Sequence, residues 1–153
     1  MELQLSNLKL KTFTGQNAVD YCLLNNINSN DITELDLGFN ELTDISGIKI
    51  FKNVIILWLN RNKIKDISVL NNLRKLKQLY LWKNEIKDIS VIQYLNNLEL
   101  LDIDNLELES DQINYIKSLK NFKELKCNKG FKDMDITDKL NENIEINDYL
   151  IYK

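Results

Sequence analysis

The strongest constraint on this chain is a period. Leu35, Leu57, Leu79 and Leu101 head four related segments, each 22 residues after the last. The clearest copy reads Leu57-Trp58-Leu59-Asn60-Arg61-Asn62-Lys63-Ile64-Lys65-Asp66-Ile67. Self-similarity at a fixed interval of this size is the signature of a solenoid: one repeat leaves an apolar face that only its neighbours can cover.

The copies agree position by position. The first runs from Ile32 through Leu35, Leu37, Asn40, Leu42, Ile45 and Ser46. The second starts at Val54 and carries Leu57, Leu59, Asn62, Ile64 and Ile67. The third starts at Leu76 and carries Leu79, Leu81, Asn84, Ile86 and Ile89. The fourth has Leu98, Leu101 and Ile103, with Leu106 where the others have Asn. A degenerate fifth has Phe122, Leu125 and Cys127, with Gly130 in place of Asn. This is the leucine-rich-repeat pattern. With Asp-Ile-Ser after the Asn-x-Ile step, it resembles the repeat class of bacterial internalins and of the leucine-rich regulatory subunits of eukaryotic phosphatases. The resemblance covers residues 32 to about 127. It implies an α/β solenoid with a curved parallel sheet on the concave face and short 3-10 or α turns on the convex face.

Elementary geometry agrees with that expectation. In Leu-x-Leu the leucines point inward and their neighbours outward, because side chains alternate along a strand. Strands are expected to begin near residues 34, 56, 78, 100 and 124, all parallel. Asn40, Asn62 and Asn84 sit where the chain leaves the strand, and a carboxamide can satisfy buried backbone donors and acceptors there. In the family these residues form a structural ladder, each serving its own turn and the next. Ser46, Ser68 and Ser90 read as caps of short helical turns. Ile48/Phe51, Leu70/Leu73 and Ile92/Leu95 repeat three apart, which suits 3-10 turns. In copy four, Ile113, Ile116 and Leu119 follow Ser110 and predict a true α-helix.

The ends differ from the repeats. Leu3, Leu5, Leu8 and Leu10 suggest a strand-like entry segment. Thr14 reads as an N-cap with Asn17 as its capping-box partner, opening an amphipathic helix from Gly15 to about Asn26. Its apolar face is expected to hold Ala18, Val19, Cys22, Leu23 and Ile27 and to cap the solenoid. Ile144 to Ile146 reads as a last short strand, with Tyr149 to Tyr152 packing over the end. The chain is thus one domain over 1–153: N-terminal cap 1–31, four repeats 32–121, and a degenerate repeat with C-terminal cap 122–153.

Composition narrows the function. The chain has 153 residues, 44% hydrophobic and 28% charged, with a net charge of −3, which does not suit a nucleic-acid or anionic-membrane binder. It has no His and no Pro, so the commonest general base and metal ligand is missing. Met1 to Phe13 lacks the continuous apolar core of a signal peptide or membrane span. Neither a Gly-rich phosphate loop nor a Cys-x-x-Cys pair is present, and Asp44, Asp66 and Asp88 lie one coil apart without a second ligand cluster. No enzyme activity, no cofactor and no metal site is expected. Cys22 and Cys127 read as buried core thiols about 20 Å apart at one strand per ~4.8 Å, too far for a bridge. Reduced thiols point to a cytoplasmic location.

What remains is the outward face. Copy one offers Glu34, Asp36, Gly38 and Phe39, and copy two Ile56, Trp58, Asn60 and Arg61. Copy three offers Gln78, Tyr80, Trp82 and Lys83, copy four Leu100, Asp102, Asp104 and Asn105, and the fifth Glu124, Lys126, Asn128 and Lys129. Both tryptophans of the chain fall here, on adjacent copies, although leucines already fill the inward positions. Ile56, Trp58, Tyr80, Trp82 and Leu100 are expected to form an apolar patch flanked by Arg61 and Lys83, with Asp102 and Asp104 towards one end. Trp, Tyr and Arg dominate binding hot spots. The expected function is a non-catalytic module that grips a protein partner on this face as an inhibitor, adaptor or regulatory subunit, as a monomer rather than an oligomer. The alternatives are a self-associating structural protein, an internalin-like adhesion or effector fragment, a sugar-stacking surface, and aromatics that merely shield the sheet.

Overall fold

A computed structural model describes residues 1–127 and 144–147. Seven short strands lie in chain order in one wholly parallel sheet: β1 (Glu2–Gln4), β2 (Glu34–Asp36), β3 (Ile56–Trp58), β4 (Gln78–Tyr80), β5 (Leu100–Asp102), β6 (Glu124–Lys126) and β7 (Glu145–Asn147). The five strands expected from the repeat begin at residues 34, 56, 78, 100 and 124. Register follows the period: Leu3, Leu35, Leu57, Leu79, Leu101, Leu125 and Ile146 stand side by side. The ladder continues beyond the strands, with the N–H groups of Leu37, Leu59 and Leu81 donating to Trp58, Tyr80 and Asp102 at 2.7–2.9 Å.

Behind the sheet each coil contributes the same set of apolar side chains. Ile32, Leu35, Leu37, Leu42, Ile48 and Phe51 of the first repeat are fully buried, as are their counterparts Val54, Leu57, Leu59, Ile64, Leu70 and Leu73. Each such side chain contributes about 1.5–3 kcal/mol of transfer free energy. Stacking identical shapes fills the interior without a special residue at any position.

The convex side carries 3-10 turns at Ser46–Ile50, Ser68–Asn72 and Ser90–Tyr94. Their caps differ from the expectation. Ser46, Ser68 and Ser90 are the first residues of these turns rather than their caps. Asp44, Asp66 and Asp88 instead accept from the backbone N–H of Ser46, Ser68 and Ser90 at 2.7–2.8 Å. A carboxylate two residues back reaches that donor more directly than the serine hydroxyl can. In copy four a 3-10 turn, Ser110–Gln112, leads into α2 (Ile113–Lys117), the expected helix.

The helix α1 (Gly15–Leu24) opens with the expected capping box: Thr14 Oγ1 accepts from Asn17 N–H and Asn17 Oδ1 accepts from Thr14 N–H. It packs in the convex row against Ser46–Ile50, while β1 extends the sheet beside β2, so residues 1–31 themselves make a coil. Its buried face is narrower than the sequence suggests. Ala18 and Cys22 are buried, but Val19 and Leu23 face outward. Gly47 makes the junction possible: a Cβ there would stand 2.6 Å from the Phe13 carbonyl and press on that of Thr14. Cys22 and Cys127 are both buried thiols, and burial pushes the Cys22 thiol above its ordinary value. Asn128, Lys129, Gly130 and Tyr149 to Tyr152 lie outside the described residues.

Asn40, Asn62 and Asn84 do form a ladder, but it runs backwards. Asn62 donates to the carbonyls of Leu59 in its own coil (2.9 Å) and Leu37 in the preceding one (3.0 Å), and accepts from Leu42 N–H (2.9 Å). Asn84 repeats this with Leu81, Leu59 and Ile64. Asn40 bonds Leu37 and reaches Leu5, Leu8 and Leu10. Asn60, read as outward, is also buried, at 4% exposure. Its carboxamide lies over Gly38, where a Cβ would come within 3.1 Å of it, and its side chain makes no hydrogen bond among the described residues. Asn62→Ala is therefore expected to cost about 1–3 kcal/mol for each buried backbone group left unpaired. Asn60→Ala strands no partner and should cost under about 1 kcal/mol. Denaturant unfolding of the two variants, with equal losses, would refute this assignment of roles.

Candidate functional site

The concave face is built from four rows that cross the strands. The first holds Glu34, Ile56, Gln78, Leu100 and Glu124, and the second Asp36, Trp58, Tyr80, Asp102 and Lys126. The third row, just past the strands, holds Gly38, Asn60, Trp82 and Asp104. The fourth holds Phe39, Arg61, Lys83 and Asn105, one per coil, where the chain turns towards the ladder asparagines.

The fourth row has an unusual backbone. Phe39, Arg61, Lys83 and Asn105 all adopt left-handed φ values of 54–56°. Of these residue types only Asn enters that region readily, so residue type gave no signal of the turn. The conformation lets the N–H groups of Phe39 and Arg61 donate to the carbonyls of Asn60 and Trp82, each at 2.9 Å. It also swings three long side chains out at the edge of the face.

Those side chains gather around Trp82. The Arg61 guanidinium carbon sits 5.0 Å from the Trp82 ring centre and 5.1 Å from that of Phe39. Phe39 meets Trp82 edge to face at 6.1 Å. Lys83 Nζ lies 5.6 Å from the same indole. Such contacts are each worth about 0.5–1 kcal/mol when exposed. Trp58 belongs to a second cluster. It stacks on Tyr80 at 5.7 Å with an interplanar angle of 10°, and the Tyr80 hydroxyl donates to Gln78 Oε1 at 3.1 Å.

Several sequence expectations need correction. Trp58 and Trp82 are on adjacent coils but in different rows, and each packs on another ring. Leu100 and Asp102 are covered rather than exposed, at 9% and 8%. Gln78 stands between Ile56 and Leu100 in the first row, so these two do not join one apolar patch. Ile56, Trp58, Tyr80, Trp82 and Asp104 are half-buried, while Arg61 and Lys83 are exposed. Phe39, left out of the expected patch, belongs to it: it is 46% exposed and its ring centre lies 5.1 Å from the Arg61 guanidinium carbon. Its alignment with Arg61 and Lys83 in the repeat was the available clue.

Charge on the face is segregated. Glu34 and Asp36 lie on the β2 side, and Asp102, Asp104 and Glu124 on the β5–β6 side, where Lys126 pairs with Glu124 at 3.5 Å. Elsewhere, lysines at the coil margins pair with acids of neighbouring coils: Lys63 with Glu41, Lys65 with Glu85, Lys87 with Glu107, and Lys77 and Lys123 with Glu99. The two lysines hold the Glu99 carboxyl down to about 2. Arg61 and Lys83 have no carboxylate partner among the described residues. No helix among them is long and apolar enough to cross a membrane, and no group of His, Cys, Asp and Glu there is suited to a metal ion.

Asp102 is the titratable group most altered by its setting. Burial pushes its carboxyl up to about 6, helped by the nearby Asp104 and Glu124 carboxylates and opposed by the Asp104 N–H and the Lys126 ammonium. Its folded value lies above the unfolded one of about 3.9, so folding favours the protonated form. That contribution is complete below about pH 4 and is lost as pH rises through about 6. Asp102→Asn is expected to stabilise the fold at neutral pH by on the order of 1–2 kcal/mol and to flatten stability between these limits. Thermal melts across this range, with a wild-type slope retained in the variant, would contradict the assignment.

A family model described as leucine-rich repeats, in two copies, matches residues 30–72. No curated protein matches the chain in sequence. Among solved structures, internalin C2 from Listeria monocytogenes is similar with a TM-score of 0.64 and 21% identity, over 95% of this chain and 79% of that one. A leucine-rich-repeat protein of Leptospira interrogans is similar with a TM-score of 0.78 and 22% identity, over 96% of this chain and 36% of that one. The plant peptide hormone receptor RGFR1, solved in complex with RGF2, has a TM-score of 0.54 and 24% identity, over 84% of this chain and 20% of that one. At these identities the likeness shows the fold. The chain spans little more than a third of the Leptospira protein's length.

Proposed function

We propose that this leucine-rich-repeat protein is a non-catalytic binding module whose concave face grips a protein partner, acting as an inhibitor, adaptor or regulatory subunit. The observation that carries the reading is the cluster of Phe39, Arg61, Trp82 and Lys83 beside the stacked Trp58 and Tyr80. Inward leucines already fill the core, so these rings are not needed to bury it. Large aromatic and Arg side chains set among polar residues are ordinary interface anatomy. The partners named with some neighbours of this fold, such as RGF2, fit a ligand-gripping role for the scaffold. We place the protein in the cytoplasm as a monomer, in keeping with its buried thiols.

Because Trp58 stacks on Tyr80, Trp58→Ala also removes an aromatic pair, worth about 0.5–1.5 kcal/mol to the fold. The expected loss in partner affinity is larger, about 2–4 kcal/mol for each of Trp58→Ala and Trp82→Ala. A quantitative pull-down from the source organism, with the double variant as control and melting curves for both proteins, measures the contrast. Captured proteins that are unchanged in the folded double variant would move the binding site elsewhere. A dimer on size-exclusion chromatography that the same variant dissolves would favour self-association on this face.

A further inference from the structure

Arg61 is held in an unusual state. Its guanidinium carbon lies within 5.1 Å of two ring centres, Phe39 and Trp82, which stand at 89° to each other. Its N–H groups donate to no acceptor among the described residues. Lys83 is drawn to the same indole, which places two like charges on one ring. Neither has the carboxylate that the coil-margin lysines Lys63, Lys65 and Lys87 have found. Two neighbouring cations with no internal counter-charge, one of them held against two rings, make a receptor for an anion.

The surroundings select the anion. A planar guanidinium edge matches a carboxylate in a two-bond arrangement. Asp36 on β2, beside Trp58, and Asp104 in the Trp82 row put negative charge on the same face, which disfavours a polyanion or a doubly charged phosphate, and the chain's net charge of −3 adds to that. A single carboxylate carried by a chain that is otherwise apolar or basic meets no such penalty. Near this position, the half-buried Trp58 and Tyr80 rings add apolar surface, with Lys126 Nζ 5.8 Å from the Tyr80 ring centre.

We propose that the concave face docks a protein segment in which one Asp or Glu sits on Arg61 and Lys83 while an adjacent aromatic or long aliphatic side chain lies on the Trp58–Tyr80 stack. This rests on the concave-face reading above and adds the chemistry of the partner.

Both tryptophans of the chain lie in this site, so tryptophan fluorescence reads its occupancy directly. The test is selection of a random short-peptide display library on the immobilised full chain, counter-selected on the Trp58→Ala/Trp82→Ala double variant. The retained peptides are expected to carry an acid beside an apolar residue. In fluorescence titrations of one such synthetic peptide, replacing its acid by the amide should weaken binding about tenfold or more. Arg61→Gln should do the same while keeping a side chain equally able to hold the turn. The two changes together should cost no more than either alone. Arg61→Glu with Lys83→Glu should switch selection to peptides with a basic residue at that place. Trp-dependent peptides without an acid, additive losses in the double change, or no Trp-dependent peptide at all would overturn the proposal. So would displacement of the peptide by inorganic phosphate beyond that caused by chloride at equal ionic strength. A native partner captured in a Trp-dependent way through a neutral segment would overturn it while leaving the binding-module reading intact.

Discussion

The side-chain carboxamide that Asn40, Asn62 and Asn84 each send back to the preceding coil is what the other features depend on. Wherever a strand ends inside a solenoid, the chain must bend while its backbone groups stay out of water. Unpaired, each of those groups would cost about 1–3 kcal/mol. One carboxamide closes its own turn, bonds the previous coil's carbonyl and accepts an N–H from it. The left-handed residue just before each Asn belongs to the turn itself, since Asn105 adopts it before Leu106 as well, and the carboxamide adds the buried polar closure that joins one coil to the last.

The candidate binding face inherits its geometry from the same place. Phe39, Arg61 and Lys83 occupy the position immediately before the ladder asparagines, and their backbone is left-handed because the turn demands it. Side chains that would otherwise wave in solvent are thereby set in a row one strand apart, within reach of Trp82. The face is preorganised by backbone hydrogen bonds first and by ring and cation contacts second, and it presents fewer rotamers for a partner to freeze.

Much of this was legible in the residues alone. The phase of Leu-x-Leu located the strand starts at 34, 56, 78, 100 and 124, and three-residue spacing identified the convex turns, because both follow from side-chain direction within one coil. What the sequence did not disclose involves relations between coils. Nothing in Asn62 itself says that it reaches back to Leu37 rather than forward. Asp44 and Ser46 are both good capping residues, and only the turn's geometry chooses the carboxylate. Leu100 and Asp102 obey the outward phase yet are covered, since the depth of a concave surface depends on the sizes of side chains on both flanks. Asn60 is buried for a similar reason: Gly38, 22 residues earlier, leaves a notch that its carboxamide fills.

The ladder also stops. Leu106 stands where a fourth carboxamide would be, is buried, and closes its turn by donating to the Ile103 carbonyl at 3.1 Å. It has nothing to offer Ile86 N–H. Between the third and fourth repeats the links include strand pairing, apolar stacking, a bond from Ile89 N–H to Gln112 Oε1, one from Asn121 Nδ2 to the Asn96 carbonyl, and the exposed Lys77–Glu99 and Lys87–Glu107 ion pairs, with no buried carboxamide among them. In a nearly one-dimensional molecule, stability is a sum of units and of the joints between them, so this joint is a seam in cooperativity. Partial opening in native conditions favours weakly coupled joints, and opening at this one would release the later coils as a block. Phe39, Trp58, Arg61, Tyr80, Trp82 and Lys83 all lie before the seam. The aromatic and cationic cluster would outlast the loss of the chain's second half, while the acidic flank formed by Asp102, Asp104 and Glu124 would come and go with it.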